Sequence, residues 1–103
     1  MVKEPTFDKY GSPTEETLEA IRTWSWANPY LWLTFCRDCW DENYGKINWD
    51  FVEGSRIKAE FITGGWSENE TIIGAMGQNL ILWGRCWMSS HRGGLYVFEE
   101  PGK

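Results

Sequence analysis

Apolar residues recur at three- and four-residue steps as far as Trp40 and then change to alternation, and this change of period divides the chain. Leu18, Ile21 and Trp24 follow Ser12-Pro13-Thr14-Glu15. That run combines a capping serine, a proline at the first helical position and a glutamate at the third, and it predicts a helix over residues 13–25. Asn28-Pro29 repeats the start signal. Trp32, Phe35, Cys36, Cys39 and Trp40 then form one strongly apolar face, widened by Leu31 and Leu33, of a second helix reaching about Asp41. Asn43 to Gly45 breaks the pattern. Beyond it, Lys46–Val52 and Arg56–Thr63 read as strands separated by Glu53-Gly54-Ser55. Ile57, Ala59 and Phe61 alternate with Lys58 and Glu60, as in a hairpin with one buried face.

Ser67-Glu68-Asn69-Glu70 has the form of a second capping box, opening a short helix through Ile72, Ile73 and Met76 that Gly77 would end. From Asn79 to Ser89 the residues Ile81, Trp83, Arg85 and Trp87 alternate with Leu82, Gly84, Cys86 and Met88, which suits a strand. His91 to Gly94 supplies a turn and Leu95–Glu99 pairs back. The order is two helices, a hairpin, a helix and a hairpin. It predicts an α+β fold, an antiparallel sheet of about four strands packed against two N-terminal helices and one short middle helix. Residues 1–11 read as a flexible arm and residues 12–100 as a single domain; neither a repeat nor a low-complexity tract interrupts them.

A chain of 103 residues is long enough for one core without metals or disulfides. Eight tryptophans, Trp24, Trp26, Trp32, Trp40, Trp49, Trp66, Trp83 and Trp87, would contribute much of the core area. Of these, Trp32, Trp40, Trp83 and Trp87 are expected in the core, and Trp26, after the first helix, at the surface. Fifteen acids against ten Lys plus Arg give a net charge of −5. The imbalance is local, since residues 1–53 hold ten acids and five bases and the remainder five of each. This argues against general binding to a nucleic-acid backbone and leaves a basic protein partner open. The N-terminal residues lack the apolar core of a secretion signal, and no run approaches the roughly 18 apolar residues of a membrane span. Three cysteines, an odd number, fit a reducing compartment. A cytoplasmic protein with no membrane partner and no cofactor is therefore expected.

Several residues carry possible chemistry. Cys36, Cys39, Cys86 and His91 have the types and number of a zinc site, but Cys36 and Cys39 fall within a helical apolar stripe, where free cysteines are ordinary core residues, so no metal is assigned. Ser89, Ser90 and His91 suggest nucleophilic catalysis only weakly, because no orienting carboxylate is implied; turn chemistry explains them, and the chain reads as a non-enzyme. Gly64-Gly65 and Gly93-Gly94, with Arg92 and the helix start at Ser67, could cradle a phosphate or simply form tight turns. Trp66 stands between a diglycine and a helix start, where it either staples onto Ile72 or Ile73 or meets a partner. Glu15, Glu16 and Glu19 favour the first helix dipole and could also present a negative surface.

The segments TGGWSENETII and WMSSHRGGLYVFE resemble a group of small, functionally unassigned proteins encoded by tailed bacteriophages and prophages. That group has an early PTEE-type helix start, a GGWS-x-NE-x-II segment and a W-x-SS-x-RGG-x-Y-x-FE ending. The matching positions are Pro13 to Glu16; Gly64 to Ser67 with Asn69, Glu70, Ile72 and Ile73; and Trp87, Ser89, Ser90, Arg92 to Gly94, Tyr96, Phe98 and Glu99. Residues 25–52 match least, and His91 stands where the group has a basic residue. The resemblance implies a viral or prophage source and, by analogy, an accessory factor acting on host machinery, anti-CRISPR and other anti-defence inhibitors included. The expected interface joins Glu15, Glu16, Glu19, Asp38, Asp41 and Glu42 to an exposed Trp66 or Trp26. The alternative is a nucleotide-signal binder in which Trp66 or Trp87 stacks on a base while Arg85, His91 and Arg92 face phosphate.

Overall fold

A computed structural model describes residues 4–52 and 56–101, so the turn expected at Glu53-Gly54-Ser55 lies outside the described residues. Among the described residues, four helices and a four-stranded antiparallel sheet make an α+β fold. Helix α1 (Glu15–Thr23) is capped by Thr14, whose Oγ1 accepts the Thr17 N–H at 3.3 Å. Ser12, the expected cap, donates instead to Glu68 Oε1 at 3.0 Å. The described part of the expected arm folds back on α1: the Thr6 N–H donates to Thr17 Oγ1 at 2.8 Å, and Phe7 bridges Pro13. Helix α2 (Pro29–Cys39) starts at the proline that the sequence marks and buries Trp32, Leu33, Phe35, Cys36 and Cys39.

Strands β1 (Lys46–Val52) and β2 (Arg56–Ile62) form the first hairpin, with Ile47, Trp49 and Phe51 opposite Phe61, Ala59 and Ile57. Helix α3 (Ser67–Gln78) and helix α4 (Leu80–Cys86) lead to the second, made by β3 (Trp87–His91) and β4 (Leu95–Glu99). Pairing of β2 with β4 joins the hairpins in the order β1-β2-β4-β3. Tyr96 and Phe98 of β4 register with Phe61 and Ala59, which completes one apolar face. Helix α2 sits on that face, with Trp40 edge-on to Phe61 at 5.0 Å and Trp32 edge-on to Phe98 at 6.5 Å. Trp24 against Phe35 at 5.0 Å, and the Trp32 Nε1–H donated to the Ile21 carbonyl at 3.0 Å, fasten α1 to α2.

Residues 79–89 depart from expectation. They form α4 and the start of β3 rather than one strand. Leu82 and Cys86, the buried pair, are four residues apart, a spacing that serves one face of a strand and one face of a helix equally well. Asn79 decides in favour of a helix: its Oδ1 accepts the Leu82 N–H at 3.3 Å, while its Nδ2 donates to the Ile21 and Trp24 carbonyls at 3.0 and 3.2 Å. Nor does Gly77 end α3, which continues to Gln78. Ser67 is the first helical residue of α3, so the expected capping box does not form.

Candidate functional site

The start of α3 is a junction built from backbone. Asn69, fully buried, accepts the Asp41 N–H on Oδ1 at 2.9 Å and donates from Nδ2 to the Asp41 and Thr63 carbonyls at 3.1 and 3.3 Å. Close glycine approaches bring these strands of chain together. A Cβ at Gly45 would collide with the Ile62 carbonyl and Asn69 Nδ2. At Gly64, where φ is +66°, it would run into the Tyr44 carbonyl, and at Gly94 into the Thr63 hydroxyl. Thr63 also donates its N–H to the Gly94 carbonyl at 3.0 Å. Gly64 and Gly94, one from each of the two diglycines considered as phosphate cradles, are thus occupied in packing the α3 start against the β3–β4 turn and the Asp41–Gly45 turn.

This junction sets Tyr44 flat on Trp66, ring centroids 4.1 Å apart and planes 17° from parallel. Trp66 therefore lies on Tyr44 rather than among the rings packed on the core. Tyr44 is 56% exposed and Trp66 half-buried, while the indole Nε1 is shielded from solvent and has no hydrogen-bond partner among the described residues. The segments that carry the two rings are rich in carboxylates. Asp41 is tied to Asn69 through its backbone and Glu42 adjoins it in the turn. Glu68 and Glu70 lie in the first turn of α3, and Ser12 brings the start of α1, with Glu15 and Glu16, to Glu68. Sequence reasoning passes over Tyr44, which sits in the Asn43–Gly45 break, where turn residues signal a loop and say nothing of a ring.

The acids differ in how free they are. Glu15 and Glu19 both pair with Arg22, raising its pKa chiefly through the Glu19 hydrogen bond. Asp38 pairs with Arg37 at 3.5 Å, whose guanidinium also lies over the Trp49 ring. Asp41 Oδ1 accepts the Asn43 N–H at 3.0 Å. Glu16 and Glu42 are exposed and make no ion pair among the described residues. Trp26 stands apart from this group. Helices α1 and α3 run parallel, with Ser12 meeting Glu68 at one end and Asn79 meeting Ile21 and Trp24 at the other, so the length of α3, about 18 Å, separates Trp66 from Trp26. Trp26 belongs with α4, where Arg85 donates to its carbonyl at 3.4 Å and lies over its ring.

Arg85, Trp87, His91 and Arg92 do not converge on one pocket. Trp87 is 39% exposed rather than core, stacks on Trp83, and donates its Nε1–H to Ser90 Oγ at 2.8 Å. The strand register places Trp87 and Ser90 on the helix side of the sheet and Ser89 and His91 on the other. On that outer side Ser89 Oγ lies 2.9 Å from His91 Nε2, a nucleophile–base distance reached by neighbours in sequence, against the expectation from spacing. Both are surface groups, and among the described residues no carboxylate bonds the other ring nitrogen, so the pair lacks the orienting group of a catalytic triad. A hollow of about 70 Å³ between Asn48, Asp50, Lys58 and Glu60 is far below the roughly 300 Å³ of a small-ligand site.

Cys36, Cys39 and Cys86 are buried free thiols, as the place of the first two in the apolar stripe of the second helix suggests. Burial pushes Cys39 and Cys86 up to about 12 and Cys36 well above its ordinary value, so all three are protonated at neutral pH. His91 lies on the exposed face of β3, and among the described residues no group of His, Cys, Asp and Glu is arranged to hold a metal ion. Among the described residues no helix is long and apolar enough to cross a membrane. Compared with protein-family models, curated proteins and solved structures, the chain matches none.

Proposed function

We propose that this is a non-enzymatic binding protein of phage or prophage origin that docks on a host protein in the bacterial cytoplasm and inhibits it, with anti-CRISPR or other anti-defence activity as its role. The observation that carries the binding reading is the Tyr44–Trp66 stack, whose segments carry Asp41 and Glu42 just before Tyr44 and Glu68 and Glu70 just after Trp66. Large rings anchored on a rigid junction lose little side-chain entropy on docking, and such residues dominate binding energy in protein interfaces. The surrounding carboxylates would steer a basic partner toward the rings and fix its orientation. The resemblance of the GGWS-x-NE and RGG segments supports the viral source and the host target; it does not identify the partner.

The experiment is affinity capture from host lysate with the parent chain, Trp66→Ala, Tyr44→Ala and Trp26→Ala side by side. Loss of one stoichiometric host protein with the first two variants, and its retention with the third, is the expected result. Truncating an anchor of this kind costs about 2–4 kcal/mol, roughly 30- to 1,000-fold in affinity. Equal capture by all four chains would exclude the stack as the interface, and failure of every folded bait to capture any protein would return weight to a small-molecule ligand.

A further inference from the structure

We propose that the outer face of α4 is a self-association surface on which a second copy of this chain docks across a two-fold axis near Gly84. Apart from Arg85, α4 is apolar on all sides. Leu82 and Cys86 face the core, whereas Leu80 is 77% and Ile81 59% exposed. A helix apolar all round is normally covered on all sides. The patch is continuous, because Ile81 and Arg85 share one helical face, Arg85 is seated on Trp26, and Trp87 and Met88 follow directly at the start of β3.

Three observations select a second copy. Residues 71–98 contain no Asp or Glu, in a chain of net charge −5. Carboxylates are therefore sparse on this surface, where Glu99 and Glu100 come near only at the α4–β3 junction, and Arg85 on it attracts the partner's overall negative field. Area is sufficient: the exposed parts of Trp26, Leu80, Ile81, Trp87 and Met88 amount to about 600 Å² per copy, or about 1,200 Å² per dimer, the lower edge of a specific interface. Gly84 is the third. A side chain there would meet nothing within 4 Å, so nothing inside the chain requires a glycine in mid-helix, where it weakens the helix relative to alanine. Close approach of another backbone would use it, as it could not use Gly74 or Gly77 of α3 within this patch, and across a two-fold axis Gly84 would meet its own copy.

Sedimentation equilibrium of the full chain up to millimolar concentration tests the idea, and independently of the host-binding reading, since it needs no host component. A dimer is expected, at least tenfold weaker in Ile81→Glu and in Gly84→Leu, and unchanged in Trp66→Ala. Gly84→Leu is the decisive variant: in the isolated fold it should preserve or raise resistance to urea, so loss of the dimer cannot be put down to unfolding. A parent chain that stays monomeric overturns the proposal, as does a dimer indifferent to both α4 variants. A monomer that co-sediments with phosphatidylglycerol vesicles would overturn it too, by placing a bilayer on this face.

Discussion

Removing the side chain of Asn69 should cost this protein about 3 kcal/mol, although the residue touches no candidate partner. Its amide makes three hydrogen bonds in a fully buried position, to the Asp41 N–H and to the Asp41 and Thr63 carbonyls. In Asn69→Ala the two carbonyls keep other donors, since Gly45 N–H reaches the Asp41 carbonyl and Trp66 N–H the Thr63 carbonyl, both within 3.1 Å. Those two losses are worth about 0.5–1 kcal/mol each, whereas the stranded Asp41 N–H costs about 1–3 kcal/mol. A domain of this size is stable by roughly 5–10 kcal/mol, so the midpoint of thermal unfolding should fall by roughly 12–24 °C. Asn69→Asp separates hydrogen bonding from packing. It retains the shape and the acceptor for Asp41 but turns a carboxylate toward two carbonyls, so its carboxyl pKa should be raised in the folded state. The penalty should then be full at neutral pH and shrink as pH falls through the raised value. Urea unfolding followed by tryptophan fluorescence measures both variants. An aspartate variant as stable as the parent at pH 7, or an alanine variant within 0.5 kcal/mol of it, would show that the amide does not hold the junction.

The other predictions concern the stack, the glycines and the thiols. Trp66→Phe deletes a shielded N–H that has no partner among the described residues while keeping a ring on Tyr44, so urea unfolding should show it within about 1 kcal/mol of the parent or more stable. Gly45→Ala should destabilise by more than Gly65→Ala in the same assay. The first meets the Ile62 carbonyl and Asn69, while the second has open space and only the roughly 1 kcal/mol strain of its positive φ. The thiols should give an alkaline signature. Folded Cys39 and Cys86 at about 12 lie above the free-thiol value of about 8.5, so only the unfolded chain releases these protons as pH rises. Stability should hold below pH 8.5 and then decline by up to about 1.4 kcal/mol per unit per thiol. A native chain that iodoacetamide alkylates at pH 8 as fast as the urea-unfolded chain would refute the burial argument.

Much of the fold is legible in the sequence because local signals and burial agree there. Pro29 begins α2, Ile57, Ala59 and Phe61 point one way from β2, and the turn at Arg92 to Gly94 closes the second hairpin. Misreadings arise where one spacing serves two structures. Leu82 and Cys86 satisfy both periods, and the cap that selects a helix, Asn79, is recognisable only once its amide is seen to hold the Ile21 and Trp24 carbonyls, more than 50 residues away in sequence. A tertiary contact likewise overrides one apparent start signal, with Ser12 bonding Glu68 in place of a local cap, while at the other Ser67 is already the first residue of α3. The Tyr44–Trp66 stack is of the same kind, since its partners lie 22 positions apart and are brought together by Gly45 and Gly64.

A single interface joining acids to either Trp66 or Trp26 is natural in a linear reading and does not fit the three-dimensional arrangement. Because α1 and α3 run parallel, they carry their starts, rich in carboxylates, to one end of the molecule and their ends to the other. Trp66 and Tyr44 occupy the acidic end, where Glu16 and Glu42 make no ion pair among the described residues. Trp26, Arg85 and the outer face of α4, a helix that itself carries no carboxylate, occupy the other end. Charge that attracts a basic partner to the first end repels a second acidic copy from it, and apolar surface at the other end gains most from burial where few carboxylates must be desolvated. The two surfaces therefore favour different occupants, and both can be filled at once: a pair of chains joined through α4 would present two acidic, aromatic ends outward. Avidity toward a multimeric target then requires no additional contact, only a spacing of sites on that target that matches the pair.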